Sequence, residues 1–315
     1  MSQKTQLHRP HRLLGILDCC VDPHRQLTVL GGMAMLRSGR EEGLPYSLSR
    51  WTDVPAAKWS WFLDRLAAGR MEGIDPRTGV PSYWSLKPED TLGLIFWTKD
   101  PSNLVKYADL IRPFKVQVHV TVTDWHEEEP GVPHWTRATS EAVKLADRLR
   151  EASFVWRFSP VPLLSPGLSR GVVERFAYIA PIMSTITKEV FISFLQTNDH
   201  IRETRTPEER VSLMRDMGHV ADQWGMNVRL CNEDRTLVGV EGLPSNLSSG
   251  VCAPPEDFAL PGREKPPSEG CGCALAVEAF SINESCVFGC RYCYAADETL
   301  SGKKRNTTRR LPLIR

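Results

Sequence analysis

Short apolar or β-branched runs alternate with helix-patterned stretches along most of this chain, and that rhythm limits its fold more than any other feature. TLGLIFW (91–97), VQVHVTVT (116–123), FVWRFS (154–159), EVFISFL (189–195), MNVRLC (226–231) and ALAVEAFSI (274–282) read as strands, and a further strand fits 45–50. Between them, 55–68 puts Trp59, Phe62, Leu63 and Leu66 on one helical side. The segment 101–112 opens with Pro101, a residue suited to a first helical position, and 136–151, 170–186 and 206–224 also read as helices. Parallel strands need crossover connections, and helices supply them. The expectation is therefore an α/β fold: a partial βα barrel, TIM-barrel-like, of about six to seven parallel strands.

Two regions depart from the rhythm. Residues 1–45 lack a clear period and form an N-terminal extension. Residues 242–270 are rich in Gly, Pro, Ser and Asn and read as a long loop, a kind that in compact domains is functional or disordered. The barrel is expected to span 46–295, including a Cys-rich loop at 231–273 and a further loop at 283–295. Residues 296–315 form a basic tail, expected to be disordered; its last 15 residues carry six Lys and Arg and no acid, which allows a nucleic-acid contact. A net charge of +1 gives no whole-chain attraction to nucleic acid or membrane. No run of about 18 apolar residues exists, so a cytoplasmic protein without membrane spans is expected.

That compartment decides how the nine cysteines are read, since clustered thiols in a reducing environment serve metals or catalysis more often than disulfides. Seven of the nine fall from Cys231 onward. Cys286, Cys290 and Cys293 have the spacing CxxxCxxC. Three thiolates in one tight run fit three irons of a 4Fe–4S cluster and leave the fourth iron open. Zinc favours CxxC pairs, which counts against it here, and simple packing of three thiols in one loop is the remaining alternative. Cys231, Cys252, Cys271 and Cys273 make a second set of four, suited to either a second 4Fe–4S cluster or zinc. Closing that set requires a short strand near 277–282 and a loop that doubles back. Cys19 and Cys20 read as buried hydrophobes.

Chemistry in parallel α/β folds gathers where strands end. Those positions here hold Arg50 to Asp53, Thr98 to Asp100, Thr121, Thr123, Asp124, Arg157, Ser159, Gln196, Asn198 and Asn283 onward. Asp53 before Val54-Pro55 and Asp100 before Pro101 fit helix N-caps. Lys99 and Arg157 are harder to assign to structure, because each follows or lies within an apolar strand.

The run Cys286 to Cys293, with Tyr292 before the last thiol and Tyr294-Ala295 after it, resembles the cluster loop of radical S-adenosylmethionine enzymes. The chain from about Leu48 to Ala295 is similar to the family called domain of unknown function 1848. The matching stretches are Arg50-Trp51-Thr52-Asp53-Val54-Pro55, Phe96-Trp97-Thr98-Lys99-Asp100-Pro101, Trp156-Arg157-Phe158-Ser159-Pro160, Ile192-Ser193-Phe194-Leu195 and Cys271-Gly272-Cys273. Arg50-Trp51 stands where that family usually has two arginines, and Lys99-Asp100 where it commonly has Lys-Asn.

The resemblance implies a circularly permuted barrel, with the cluster-bearing strand last in sequence and first in space. It implies an enzyme that cleaves S-adenosylmethionine to a 5′-deoxyadenosyl radical, which abstracts hydrogen from an unidentified polar substrate. It further implies an electron donor such as flavodoxin or ferredoxin. Lys99 and Arg157 are then the expected catalytic residues, and Tyr292, Asn283, Thr98, Thr123 and Gln196 the expected cofactor-binding ones. Two other classes fit the same thiols. One is a non-catalytic iron–sulfur protein for electron transfer, redox sensing or nucleic-acid binding; the other is a photoproduct-lyase-like nucleic-acid repair enzyme.

Overall fold

In the computed structural model of the chain, residues 36–161, 169–195, 206–230, 236–260, 272–279 and 286–293 are described. Its strands are β1 (Tyr46–Leu48), β2 (Arg70–Ile74), β3 (Pro81–Ser85), β4 (Leu94–Thr98), β5 (Val116–Thr121), β6 (Ser153–Val161), β7 (Glu189–Phe194), β8 (Asn227–Leu230), β9 (Leu247–Ser249) and β10 (Val277–Glu278). The helices are α1 (Gly39–Glu42), α2 (Val54–Ala57), α3 (Trp59–Ala67), α4 (Ser102–Lys106), α5 (Ala108–Ile111), α6 (Trp135–Arg148), α7 (Ser169–Met183) and α8 (Pro207–Gln223).

All ten strands join one sheet in the order β3-β2-β10-β1-β4-β5-β6-β7-β8-β9. From β10 to β9 every neighbouring pair is parallel; β2 alone runs against that direction, antiparallel to both β10 and β3. This is a mixed α/β fold with a mostly parallel sheet. Among the described residues the sheet is open, with β3 and β9 at its edges. The parallel run holds eight strands, more than the six to seven expected, because β9 forms within the segment read as loop. Three residues, Leu247 to Ser249, are too short a run to show a period in the sequence.

The hairpin of β2 and β3 was not expected either. RMEGI carries charges at two of its five positions and a glycine at a third, and PSYWS begins with a proline, tolerated here because β3 is an edge strand. Part of the supposed extension is built onto this hairpin. Arg37 bridges to Trp84, lies over its ring, and pairs with buried Asp75 at 2.7 Å. The helix expected over 55–68 is two, α2 and α3, and the one expected over 101–112 is broken at Tyr107 into α4 and α5. Thr206 opens α8 with a reciprocal capping box to Glu209, as TPEE encodes.

The two faces of the sheet differ in chemistry. On one, Leu94, Phe96, Val116, Val118, Val120, Trp156, Phe158, Val190, Ile192 and Val228 pack with helix residues such as Phe62, Leu104, Ala142, Phe176 and Met214 in one large core. Alternate strand positions point the other way, so Ser47, Trp97, Gln117, His119, Arg157 and Arg229 share the opposite face. A small apolar cluster of Ile95, Val155 and Phe191 with Cys252, Phe258 and Cys273 covers part of it. The alternation in VQVHVTVT is the sequence record of this polar face.

Strand β10 is the shortest in the sheet, and Gly73 lets it dock. A Cβ on Gly73 would lie 2.4 Å from Cγ1 of the fully buried Val277. Gly73→Ala is expected to destabilise the chain by about 1–3 kcal/mol in urea unfolding, through overpacking at the β2–β10 contact.

Candidate active site

The polar groups at the C-terminal ends of β4 and β5 meet the cysteine loop around one buried carboxylate. Glu129, 2% exposed, accepts from Thr123 Oγ1 at 3.0 and 3.1 Å, pairs with Lys99 Nζ at 2.7 Å and accepts from the Tyr292 hydroxyl. Lys99 Nζ also lies 5.9 Å from the centre of the Tyr292 ring. Burial, then the neighbouring charge of Glu129, pushes the Tyr292 phenol well above its ordinary value, so it stays a donor.

The β5–α6 loop that carries Glu129 is fastened to the cysteine loop through its backbone. Gly131 N donates to Phe288 O at 2.9 Å, and Arg291 N donates to Glu128 O at 2.8 Å. Position 131 must be glycine for that approach, since a Cβ there would sit 2.8 Å from Phe288 Cα and O.

Asp53 performs two tasks. Its carboxylate caps α2 by accepting from Ala56 N at 3.0 Å, as expected from sequence, and accepts from Lys99 N at 2.7 Å. Thr98 spends its hydroxyl on Asp53 and on Asp100 N at 3.0 Å. Asp100 accepts from Ser102 N at 3.1 Å, but it is not the N-cap expected from sequence: α4 begins at Ser102 and Pro101 takes the cap position. Burial raises the Asp53 carboxyl to about 7, despite the amides that favour its charged form.

Cys286, Cys290 and Cys293 share a small apolar cluster with Leu195, Phe288 and Tyr292, packed on by Ala56 and Val132. None of the three is in a disulfide. Burial pushes the Cys290 thiol up to about 12 and raises Cys286, with the neighbouring sulfurs contributing in each case. Backbone hydrogen bonds from Phe288 and Asp53 to the Cys286 sulfur oppose that rise.

Arg157 is not in this group. It lies on the polar sheet face, 5.4 Å from the ring centre of Trp97, which stacks on His119 at 3.8 Å and donates to Ser47 at 3.1 Å. Arg157 Nη1 and His119 Nδ1 are buried without a hydrogen-bond partner among the described residues. Desolvation, then the Arg157 charge, holds His119 well below its ordinary value and keeps it neutral. Below the same face, Cys252 and Cys273 bring their sulfurs to 3.4 Å, and Ala274 N donates to Ala253 O at 2.7 Å, so the loop does double back. Cys231, Cys271, Asn283 and Gln196 lie outside the described residues.

A model of the family described as domain of unknown function (DUF1848) matches residues 46–295. The chain belongs to that family. No curated protein matches this DUF1848 chain. Among solved structures it is similar to a xylose isomerase domain protein from Planctomyces limnophilus, at 15% identity and a TM-score of 0.32, over 45% of this chain and 55% of that one. A sugar phosphate isomerase/epimerase from Parabacteroides distasonis ATCC 8503 matches at 8% and 0.29, over 43% of this chain and 46% of that one. A spore photoproduct lyase mutant matches at 16% and 0.31, over 43% of this chain and 50% of that one. The DUF1848 chain spans about half the length of each, and at such TM-scores these likenesses carry no inference about its chemistry.

Sequence reasoning missed Glu129, Asp53 beyond its cap, and His119. The acidic run Glu127-Glu128-Glu129 before Pro130 marked Glu129 only as one of three solvated charges; nothing local says which one turns inward. Glu129→Ala is expected to cost the DUF1848 chain about 2–4 kcal/mol in urea unfolding, because the half-buried Lys99 ammonium and the buried Thr123 and Tyr292 hydroxyls lose their shared carboxylate. Asp53 keeps its proton in the folded chain between its ordinary value of 3.8 and about 7. Its contribution to stability is complete below that window and is lost as pH rises through it. The stability difference between the native chain and Asp53→Asn should therefore fall across that range, which unfolding at successive pH values checks.

Proposed function

We propose that this chain is a radical S-adenosylmethionine enzyme on a permuted, partial βα barrel. The observation that carries the reading is the convergence of Cys286, Cys290 and Cys293 with Lys99 and Tyr292. Three thiols on one short loop, outside any disulfide and in apolar surroundings, suit an iron–sulfur centre, whose positive charge would offset the burial that disfavours their thiolates. Cys286, Cys290 and Cys293 would hold a 4Fe–4S cluster, which would supply the electron for reductive cleavage of S-adenosylmethionine and radical hydrogen abstraction from a substrate.

The chain's own residues supply binding and shielding. Backbone hydrogen bonds to Cys286 temper its charge, and Phe288 and Leu195 keep water from the sulfurs. Glu129 fixes Lys99 and Tyr292 beside the cysteines, where the ammonium favours negative charge at Cys290. Thr98 acts through Asp53, and Thr123 through Glu129, so both are positioning residues in this reading. Arg157, with one buried guanidinium nitrogen open, suits an anionic or carbonyl group of a polar substrate. The place of β10 next to β1 supports permutation, since the strand before the cysteine loop then precedes β1 in space. Cys252 and Cys273, with Cys231 and Cys271, would hold a second 4Fe–4S cluster or zinc.

After anaerobic reconstitution, combined Cys286→Ala, Cys290→Ala and Cys293→Ala substitution is expected to remove about four irons per chain and leave a second centre intact. The native protein, reduced with dithionite, should convert S-adenosylmethionine to 5′-deoxyadenosine, and the variant should not. A fully loaded, reduced sample that forms none, and whose cluster spectrum ignores S-adenosylmethionine, would instead be a non-catalytic iron–sulfur protein.

A further inference from the structure

The β5–α6 loop also carries a set of ligands built from nitrogen and oxygen. One carboxylate oxygen of Asp124 and one ring nitrogen each of His126 and His134 lie within 4.8 Å of one another. The local chain conformation places them. Asp124 takes a left-handed backbone conformation, φ 62°, rare for a residue with a side chain, as the chain leaves β5. His134 sits at the N-cap of α6, and its ring stacks on His126 at 5.1 Å. Asp124 and His126 line a cleft together with Thr123, Glu129 and Trp135, and His134 stands beside them between the lining residues Pro133 and Trp135.

Their outer contacts are those of a ligand set. Tyr178 donates to Asp124 Oδ2, and Arg175 Nε reaches the same oxygen at 3.8 Å, which orients the carboxylate. Oδ1 is buried and turned to His126 Nε2 at 2.5 Å, without hydrogen-bond alignment. His134 Nδ1 accepts from Thr136 N at 3.4 Å as the cap of α6 and lies 2.8 Å from Thr136 Oγ1, which holds the ring in place and leaves its Nε2 edge turned away from the helix. Trp135 packs on the Tyr178 ring at 4.8 Å, tying the histidine-bearing end of α6 to the phenol that holds the carboxylate.

We propose that Asp124, His126 and His134 bind a divalent first-row transition ion, with open coordination positions facing the cleft. Two imidazoles and one carboxylate are the donor set of zinc and non-haem iron sites that keep room for a further ligand. The ion would place a Lewis acid on the rim of the cleft that contains Glu129. This site uses no thiol and does not rest on the radical reading.

Co2+ is the probe, added anaerobically to the full chain and followed by proton NMR. Histidine ligation gives strongly shifted imidazole N–H signals that vanish in D2O, which thiolate-bound Co2+ does not produce. The native chain should show them, and His126→Ala and His134→Ala should each lose them at the same Co2+ concentration. Both rings are exposed, so these variants should keep the native far-ultraviolet circular dichroism. Tyr178→Phe should retain the signals but require about 10-fold more Co2+. Cys286→Ala should leave them unchanged, which separates this site from the cysteine loop. Absence of such signals from the native chain, or their survival in both histidine variants, would overturn the proposal.

Discussion

A single buried carboxylate joins the parts of this protein that carry chemistry. Glu129 draws Lys99 from the end of β4, Thr123 from the end of β5 and Tyr292 from the cysteine loop onto two oxygens. Taking a carboxylate and an ammonium out of water costs several kcal/mol each, and attraction repays it only when remaining lone pairs are also satisfied. The donors therefore act as a set. The thiols inherit their position from that set, because Tyr292 is flanked by Cys290 and Cys293.

The sheet makes this economy possible by separating its faces. One is apolar and covered by helices, so the strands need no polar groups there. The other is free to carry Ser47, His119 and Arg157, and Trp97 spaces them by hydrogen bonding to one, stacking on the next and lying under the third. The β5–α6 loop carries two polar groupings close together: Glu129 and Gly131 bond to the cysteine loop, and Asp124, His126 and His134 gather their ligand atoms beside the cleft that Glu129 also lines.

Most of the parallel sheet was legible because β4 to β8 are long enough to show apolar runs, with turn or cap residues between them. The hairpin of β2 and β3 and the short β9 were not, since their pairing is set by neighbours distant in sequence and their own residues have weak strand preference. The site divides the same way. Cys286, Cys290 and Cys293 declare themselves by spacing, and Lys99 by following an apolar strand. Glu129 and His119 do not, because burial, unlike spacing, is a property of the folded chain. Thr98 and Thr123, expected from sequence to bind a cofactor, bond to Asp53 and Glu129, partners that strand-end position alone does not reveal.

Strand β10 has two residues, and its partner β1 lies more than two hundred positions earlier, with Ser47 bonded to Glu278 across a separation of 231. So distant a contact forms late, since the chain between must first be closed into a loop. Little backbone pairing holds β10, so its docking depends on the strands already beside it. During synthesis the cysteine loop would emerge onto a nearly finished scaffold. Any metal centre it holds would then join two distant regions of the chain, in the manner of a clasp fastened last.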